Sequence, residues 1–211
     1  AGDGKAACGG EAARLQSVVD KLNALIAKEP QVPEKPTEPA EVEEPTPVDP
    51  PADESDSGQT EAYNRYLEQK AAYEQYLADK DEYDKELEEY NTKLETYKTE
   101  HDDWEKQCAD VREEAKFSQS AQILRTQVGE LEALGSSISA ALPPEIAGSG
   151  IGAGVSAGIL AQIDRLDGLN ERDMSNEEFL SAAGTLISAL NQISGGYDAA
   201  GGALSSIDSQ I

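Results

Sequence analysis

The sequence predicts an all-α fold in which a long tyrosine-lined helix pairs with an antiparallel polyproline II strand as a stalk hairpin, beside a small helical bundle. Three observations lead to this prediction. Prolines recur at every third position before the long helix, tyrosines recur at every seventh position within it, and aliphatic residues at helical spacing follow it. These are the periods of polyproline II, of a heptad-based helix and of amphipathic helices.

Residues 1–28 are predicted to contain an N-terminal helix that joins the bundle. Between residues 11 and 28, apolar side chains recur at three- and four-residue steps and give one apolar face, formed by Ala12, Leu15, Val18, Val19, Leu22, Leu25 and Ile26. Pro30 and Pro33 are expected to end this helix, because proline lacks the amide hydrogen that a helix interior needs.

Residues 29–58 are predicted to form an acidic polyproline II strand and a turn. The usual interpretation of an acidic, proline-rich stretch is a disordered linker. Here, however, every third position is proline or valine: Pro30, Pro33, Pro36, Pro39, Val42, Pro45, Val48 and Pro51. Because polyproline II has three residues per turn, these side chains share one face, and we expect that face to be packed. The polar segment Asp53–Gly58 is the expected turn.

Residues 59–117 contain neither proline nor glycine and are predicted to form the long stalk helix, capped by Ser57 or Thr60. A heptad frame aligns its less polar residues along two seam positions. One seam holds Tyr66, Tyr73, Lys80, Leu87, Leu94, His101, Cys108 and Ala115. The other holds Ala62, Gln69, Tyr76, Tyr83, Tyr90, Tyr97, Trp104 and Val111.

The proline face and the tyrosine face have matching lengths. Pro30 to Pro51 spans ~65 Å as polyproline II, and Tyr63 to Trp104 spans ~62 Å as an α-helix. Rigid pyrrolidines packed between aromatic rings bury area at little cost in entropy. We therefore expect the two faces to pack together through Pro30, Pro33, Pro36, Pro39, Val42, Pro45, Tyr66, Tyr73, Tyr76, Tyr83, Tyr90, Tyr97 and Trp104.

Residues 118–211 are rich in Ala, Gly, Ser, Ile and Leu, and they contain no lysine. They are predicted to form a helical bundle with helices at 119–142 and 151–167. A third helix would begin at the capping box formed by Ser175 and Glu178. Gly195 and Gly196 would end that helix, and a short last helix would follow.

The two cysteines, Cys8 and Cys108, favour a disulfide if the chain is exported. The first helix would have to fold back or join the bundle for the two residues to meet. Two buried free thiols and a bond between two chains are the alternatives that the sequence leaves open.

The tyrosines at seven-residue steps (Tyr76, Tyr83, Tyr90, Tyr97), together with a separate proline-rich strand, resemble the stalk of the antigen I/II-type surface adhesins. In that family an α-helix pairs with a polyproline helix and holds a binding domain away from the cell wall. The resemblance covers roughly residues 30–104. It implies a surface stalk with an adhesin-like role, but it carries over no binding residue. Here the two strands are adjacent in sequence, and no cell-wall sorting motif is present.

The charge and composition restrict the partners and the location. The net charge of −25 argues against nucleic acid and anionic membrane surfaces as partners, since both favour Lys and Arg. A strongly acidic surface keeps a protein soluble and suits a halophilic, marine or extracellular setting, or a partner that is basic or brings Ca²⁺. The first residues, Ala-Gly-Asp, are typical of a chain from which a signal peptide has been removed. We therefore expect a secreted or cell-surface protein.

No catalytic or cofactor-binding pattern is recognisable, so we expect a protein that is not an enzyme and has no cofactor or metal. The only histidine, His101, occupies a seam position without a second histidine or a neighbouring cysteine. The segment Asp164–Asn170 lacks the ligand spacing of a calcium loop, so we interpret it as a loop that ends a helix.

Three glycines at four-residue steps, Gly150, Gly154 and Gly158, would give a helix a flat ridge. We expect this ridge to serve in assembly, through close packing of helices or subunits. The uncharged stretch 146–161 is short and weakly hydrophobic, so membrane insertion is the less favoured interpretation.

These features predict a non-enzymatic extracellular structural protein, a fibre or filament subunit or a surface stalk that self-associates. The first alternative is an adhesin-like module that presents a tip or head to a protein receptor. The second is an α-helical, membrane-active secreted effector, which would act through residues 146–161.

Overall fold

The computed structural model describes residues 2–141, 153–166 and 168–208, and these ranges contain α-helices and no β-strand. The all-α prediction is therefore confirmed. The described helices are α1 (Gly2–Ile26), α2 (Ser57–Glu114), α3 (Phe117–Ala141), α4 (Ala153–Leu166) and α5 (Asn176–Asp208), with a short 3₁₀ helix at Glu171–Asp173.

The chain divides into two compact units, which we describe separately. The bundle unit comprises Ala1–Glu29 and Asp103–Ile211. The Pro–Tyr unit comprises Pro30–Asp102. Helix α2 contributes residues to both units.

The bundle unit is built around α1, which packs most extensively on α5 and runs antiparallel to α3, since Gly4 lies beside Gln127 and Glu11 beside Ser120. Lys5 near the start of α1 is ion-paired with Asp198 of α5, and Glu11 accepts a hydrogen bond from Ser120 of α3. The largest fully buried apolar side chains come from all four helices α1, α3, α4 and α5, and they are Leu15, Leu22, Leu124, Ile159, Ile163, Phe179, Leu186, Leu190 and Ile193. This apolar contact is the main source of the stability of the bundle.

Helix α3 begins where α2 ends, after a break at Lys116, which has a left-handed φ of 46°. An unbranched polar side chain tolerates this conformation better than a β-branched one, although it is uncommon outside glycine and asparagine. Phe117 follows the break and stacks on Phe179 of α5, with ring centroids 5.1 Å apart and an interplanar angle of 14°. The Phe117 amide donates to Glu171 Oε1 at 2.8 Å, which satisfies one of the free amides at the start of α3.

Helix α5 begins at the predicted capping box. The Glu178 amide donates to Ser175 Oγ at 3.0 Å, and the Ser175 amide donates back to Glu178 Oε2 at 3.4 Å. The predicted end of this helix is wrong, because α5 continues through Gly195 and Gly196 to Asp208. At Gly196, an added Cβ would lie 2.6 Å from Leu131 Cδ2, so glycine here lets α5 approach α3 closely.

The two glycines of α5 give a matched pair of substitutions. Nothing lies within 4 Å of a Cβ added at Gly195. We therefore expect Gly195→Ala to stabilise the bundle by about 0.5–1 kcal/mol, because alanine restricts the unfolded chain and favours helix. Gly196→Ala should lose that gain, since its methyl group would collide with Leu131. Urea unfolding of both variants checks this expectation, and equal gains would contradict the close approach at Gly196.

The start of α2 also differs from the prediction. The cap is Asp56 rather than Ser57 or Thr60, since Asp56 Oδ1 accepts from the amides of Gly58 at 3.1 Å and Gln59 at 3.2 Å. Aspartate is among the strongest N-cap residues, and its charge also suits the positive end of a helix.

The predicted Cys8–Cys108 disulfide is wrong, because both cysteines are buried free thiols that lie apart. Helix α1 runs antiparallel to the end of α2, with the Leu25 carbonyl beside Trp104. Cys108 is one turn beyond Trp104, so it is level with α1 shortly before Leu25. Cys8 lies several turns further back along α1, about 20 Å away at 1.5 Å per residue.

Candidate interaction surface and buried polar joint

The exposure of the side chains at residues 30–51, between α1 and α2, varies with a period of three residues. This segment is called the strand below, although it is not part of a β-sheet. Residues 30–51 have neither helical nor sheet hydrogen bonding, and nearly every third side chain is half-buried. The half-buried side chains are Pro30, Pro33, Pro36, Pro39, Val42, Pro45 and Pro51, and the residues between them are exposed. Val48, which continues the rhythm in sequence, is just exposed, at 36%.

The tyrosines of α2 are half-buried as well, and all of them are on the Pro–Tyr unit. Two neighbouring pairs, Tyr63 with Tyr66 and Tyr73 with Tyr76, each have ring centroids 6.4 Å apart. The half-buried members are Tyr63, Tyr66, Tyr73, Tyr76, Tyr83, Tyr90 and Tyr97. No residue from Pro30 to Asp102 is fully buried, so this unit has no core of the ordinary kind.

Two adjoining grooves have walls from both the strand and α2. The larger, of about 490 Å³, is lined by Pro33 and Pro36 of the strand and Tyr90 of α2, and by the charged residues Glu34, Lys35, Glu86, Glu89 and Lys93. The smaller, of about 290 Å³, places Pro33 near Thr96 and Tyr97.

An ion pair joins the strand to α2 nearer the turn. Lys80 Nζ lies 2.8 Å from Glu38 Oε1 and 5.4 Å from the centre of the Tyr83 ring. The hydrogen bond and the charge of Lys80 lower the pKa of Glu38, and the bond to Glu38 raises the pKa of Lys80. The Lys80 ammonium is therefore held between a carboxylate and an aromatic face.

The Pro–Tyr unit carries most of the negative charge of the chain. It has 22 acidic and seven basic side chains, a net charge of −15 against −25 for the whole chain. The strand and turn from Pro30 to Asp56 contain a single basic residue, Lys35. A surface of this kind repels other acidic surfaces and favours a cationic partner.

In the bundle unit, Glu11, Arg14 and Ser120 form a largely buried polar cluster beside the α2–α3 break, called the polar joint below. Glu11 is only 5% exposed, and its carboxylate accepts hydrogen bonds from Arg14 and from Ser120 Oγ at 2.7 Å. Arg14 also donates to the carbonyls of Glu114 at 3.0 Å and Ala115 at 2.6 Å, which are free acceptors at the end of α2. Arg14 therefore ties α1 to the last turn of α2.

Opposing effects set the pKa of Glu11. Burial alone would raise it, but the hydrogen bonds from Arg14, Ser120 and Gln119 and the charge of Arg14 together hold it below its ordinary value.

Arg112 ties α2 to the start of α5 at a second buried position. It is 8% exposed and donates to the carbonyls of Glu171 at 2.9 Å and Arg172 at 2.8 Å, and also to Asn176 Oδ1. Arg172 in turn is ion-paired with Asp110 of α2 at 2.6 Å. The planar, five-donor guanidinium suits this site, because several acceptors are reached by one rigid group.

The remaining predicted site residues lie in several places. Trp104 is in the bundle unit, where its indole donates to the Leu25 carbonyl at 2.7 Å. Gly154 lies in α4, and Gly158 is exposed there with nothing within 4 Å of an added Cβ. Gly150, and residues 146–152 of the stretch 146–161, lie outside the described residues. None of the described helices has the length and hydrophobicity that crossing a membrane requires.

The two thiols are buried, and the single histidine is half-buried. Burial raises the pKa of both thiols, that of Cys8 to about 11, so neither is a ready nucleophile. His101 lies against Tyr97, with ring centroids 5.4 Å apart.

The sequence interpretation missed the buried residues Glu11 and Arg112 and the half-buried Arg14. A glutamate and an arginine three residues apart are a detectable signal, but Arg65 and Glu68 have the same spacing, and burial distinguishes Glu11 and Arg14.

A comparison with known protein families, curated proteins and solved structures found no match.

Proposed function

We propose that the Pro–Tyr unit is a stalk in which the strand packs, in polyproline II form and antiparallel, on the tyrosine face of α2. The observation that carries this proposal is the three-residue rhythm of exposure between Pro30 and Pro51. The contacts also support an antiparallel direction. Pro33 shares grooves with Tyr90 and Tyr97, whereas Glu38, further along the strand, pairs with the earlier residue Lys80.

The protein that carries this stalk is, in our proposal, a non-enzymatic structural protein of the cell exterior. The charge of −25 supports an extracellular surface role, since such a surface stays soluble and resists nonspecific contact. The buried, high-pKa thiols and the packed histidine support a role without catalysis. The resemblance to antigen I/II-type stalks supports a surface location.

The stalk either belongs to a fibre or filament subunit, which is the function we favour, or presents an adhesin-like head to a protein receptor. Light scattering and electron microscopy of the purified protein distinguish these roles. We expect polymers that lengthen with protein concentration. Monomers at all concentrations would contradict the filament role and leave the receptor-binding role as the better one.

The double variant Tyr83→Ala/Tyr90→Ala tests the stalk itself. Both rings are half-buried, so we expect the pair to cost about 3–5 kcal/mol in the local stability of α2, roughly half of the value for two fully buried aromatic residues. Amide hydrogen exchange within residues 60–100 measures this local stability directly.

Leu77→Ala is the matched control for the double variant. Leu77 is on the same helix and 47% exposed, so its removal should change exchange little. Unchanged exchange in the tyrosine variant, or an equal loss in the leucine variant, would overturn the packed stalk.

A further inference from the structure

A repeated pattern of prolines and tyrosines does not by itself define one alignment of strand and helix. Moving the strand by one turn, three residues, against α2 would again place prolines near rings, because both patterns repeat. One polyproline turn is ~9 Å and one heptad is ~10.5 Å, so neighbouring alignments would have similar apolar contact. Some less repetitive feature must select the alignment.

A single basic residue interrupts the repeated pattern on each partner, one on the tyrosine-bearing seam of α2 and one on the strand. Lys80 is the only charged residue at its seam position from Tyr66 to Leu94, and Lys35 is the only basic residue of the strand. Lys80 is paired with Glu38, and Lys35 lines the groove that also contains Glu86 and Glu89. The α2 wall of that groove is mainly acidic, since Glu86 and Glu89 outnumber Lys93 there, whereas the level of Lys80 is basic, and the strand presents the opposite charge at each level.

We propose that Lys35 and Glu38 on the strand, facing Glu86, Glu89 and Lys80 on α2, specify the register of the stalk. This inference rests on the proposed packing of the strand on α2. It assigns these residues a specificity role, comparable to a single polar residue in a coiled-coil seam that selects one register.

Each neighbouring register brings like charges together. A shift of three residues in one direction places Lys35 opposite Lys80. A shift in the other direction places Glu38 beside Glu86 and Glu89. Exposed ion pairs contribute little to stability, but like charges placed directly opposite each other are unfavourable. The charge pattern therefore disfavours the wrong registers more than it stabilises the correct one.

A distance measurement tests the register. Spin labels on cysteines introduced at the exposed positions Ala40 and Thr99 would report the separation of strand and helix along the stalk axis. The native thiols, Cys8 and Cys108, are buried, and the parent chain without added cysteines controls for their labelling. We expect one narrow distance between the labels at positions 40 and 99 in the chain that carries no charge substitution, called the parent in the following comparisons.

Lys80→Glu should move the strand. The introduced glutamate would repel Glu38 in the original register and attract Lys35 after a shift of one turn. We therefore expect a new population in which the distance between labels is about 9 Å longer. The charge swap Glu38→Lys/Lys80→Glu should restore the parent distance, because it re-forms the pair while Lys35 keeps its place beside Glu86 and Glu89.

Lys85→Glu is the matched control, since Lys85 is 76% exposed and pairs within α2, with Asp81 at 3.6 Å. It should leave the distance unchanged. An unshifted distance in Lys80→Glu, or an equal shift in Lys85→Glu, would overturn the register role while leaving the stalk intact. A broad distribution in the parent itself would instead contradict the proposed packing.

Discussion

Phe179→Ala should destabilise the bundle unit by about 3–5 kcal/mol, the usual cost of emptying a fully buried aromatic site. Phe179 is 0% exposed and stacks on Phe117, so the substitution removes both apolar burial and a ring contact. The site lies where α3 and α5 both begin, and neighbouring backbone there is fixed by caps and cannot easily collapse into the space. Trp104, the only tryptophan, lies in the same unit and gives a fluorescence signal for urea unfolding.

Phe179→Leu is the appropriate comparison, because it keeps most of the apolar volume and loses the ring stacking. We expect a cost of roughly 1–1.5 kcal/mol for that variant. If alanine and leucine were equally tolerated, the Phe117–Phe179 contact would not be part of the core.

Glu11→Ala should cost about 2–3 kcal/mol, because it leaves the partly buried Arg14 without its carboxylate and the buried Ser120 hydroxyl without its acceptor. Asp20→Ala on the same helix is the control. Asp20 accepts an exposed hydrogen bond from Gln16 at 2.9 Å, and its loss should cost little. Urea unfolding followed by Trp104 fluorescence compares the two variants, and similar effects would contradict the joint.

The parent protein and the Glu11→Ala variant also allow a test of how stability depends on pH. The pKa of Glu11 is lower in the folded protein than its ordinary value of 4.5, so its ionised form favours folding. That contribution is complete above the ordinary pKa and is lost as the pH falls through the folded pKa. The stability difference between the parent and Glu11→Ala should therefore be constant near neutrality and shrink below about pH 4.5. A difference that persists unchanged in acid would contradict an ionic role.

Local sequence signals predicted the helices of the bundle well where they were strong. The capping box at Ser175 and Glu178 identified the start of α5 because its partners are three residues apart. Gly195 and Gly196 gave a misleading signal, because glycine ends helices but also permits two helices to approach closely. Only the position of Leu131, 65 residues away in sequence, decides between these roles.

Long-range pairing was harder to predict than local structure. The disulfide prediction failed because it required α1 to bring Cys8 back to Cys108, whereas α1 continues antiparallel along the end of α2 and the two cysteines lie apart. The polar joint was missed for a related reason. Glu11 and Arg112 resemble the many exposed charges of this chain, and their burial depends on carbonyls and hydroxyls contributed by distant segments.

The half-buried positions of the strand follow a period of three residues, which is a property of the sequence alone. The positions of the three-residue rhythm could be listed in advance because each turn of the strand repeats the last. The pairing of Glu38 with Lys80 could not, since many acids could face that lysine and only the alignment of strand and helix selects one.

The absence of any fully enclosed side chain between Pro30 and Asp102 has a consequence for how this unit opens. A protein with a central core loses its structure all at once, because every part depends on the same interior. Here each level depends mainly on the levels next to it, as in a solenoid, so structure should be lost progressively from an end. Amide protection along α2 should then vary smoothly with position between residues 60 and 100 instead of having one common value.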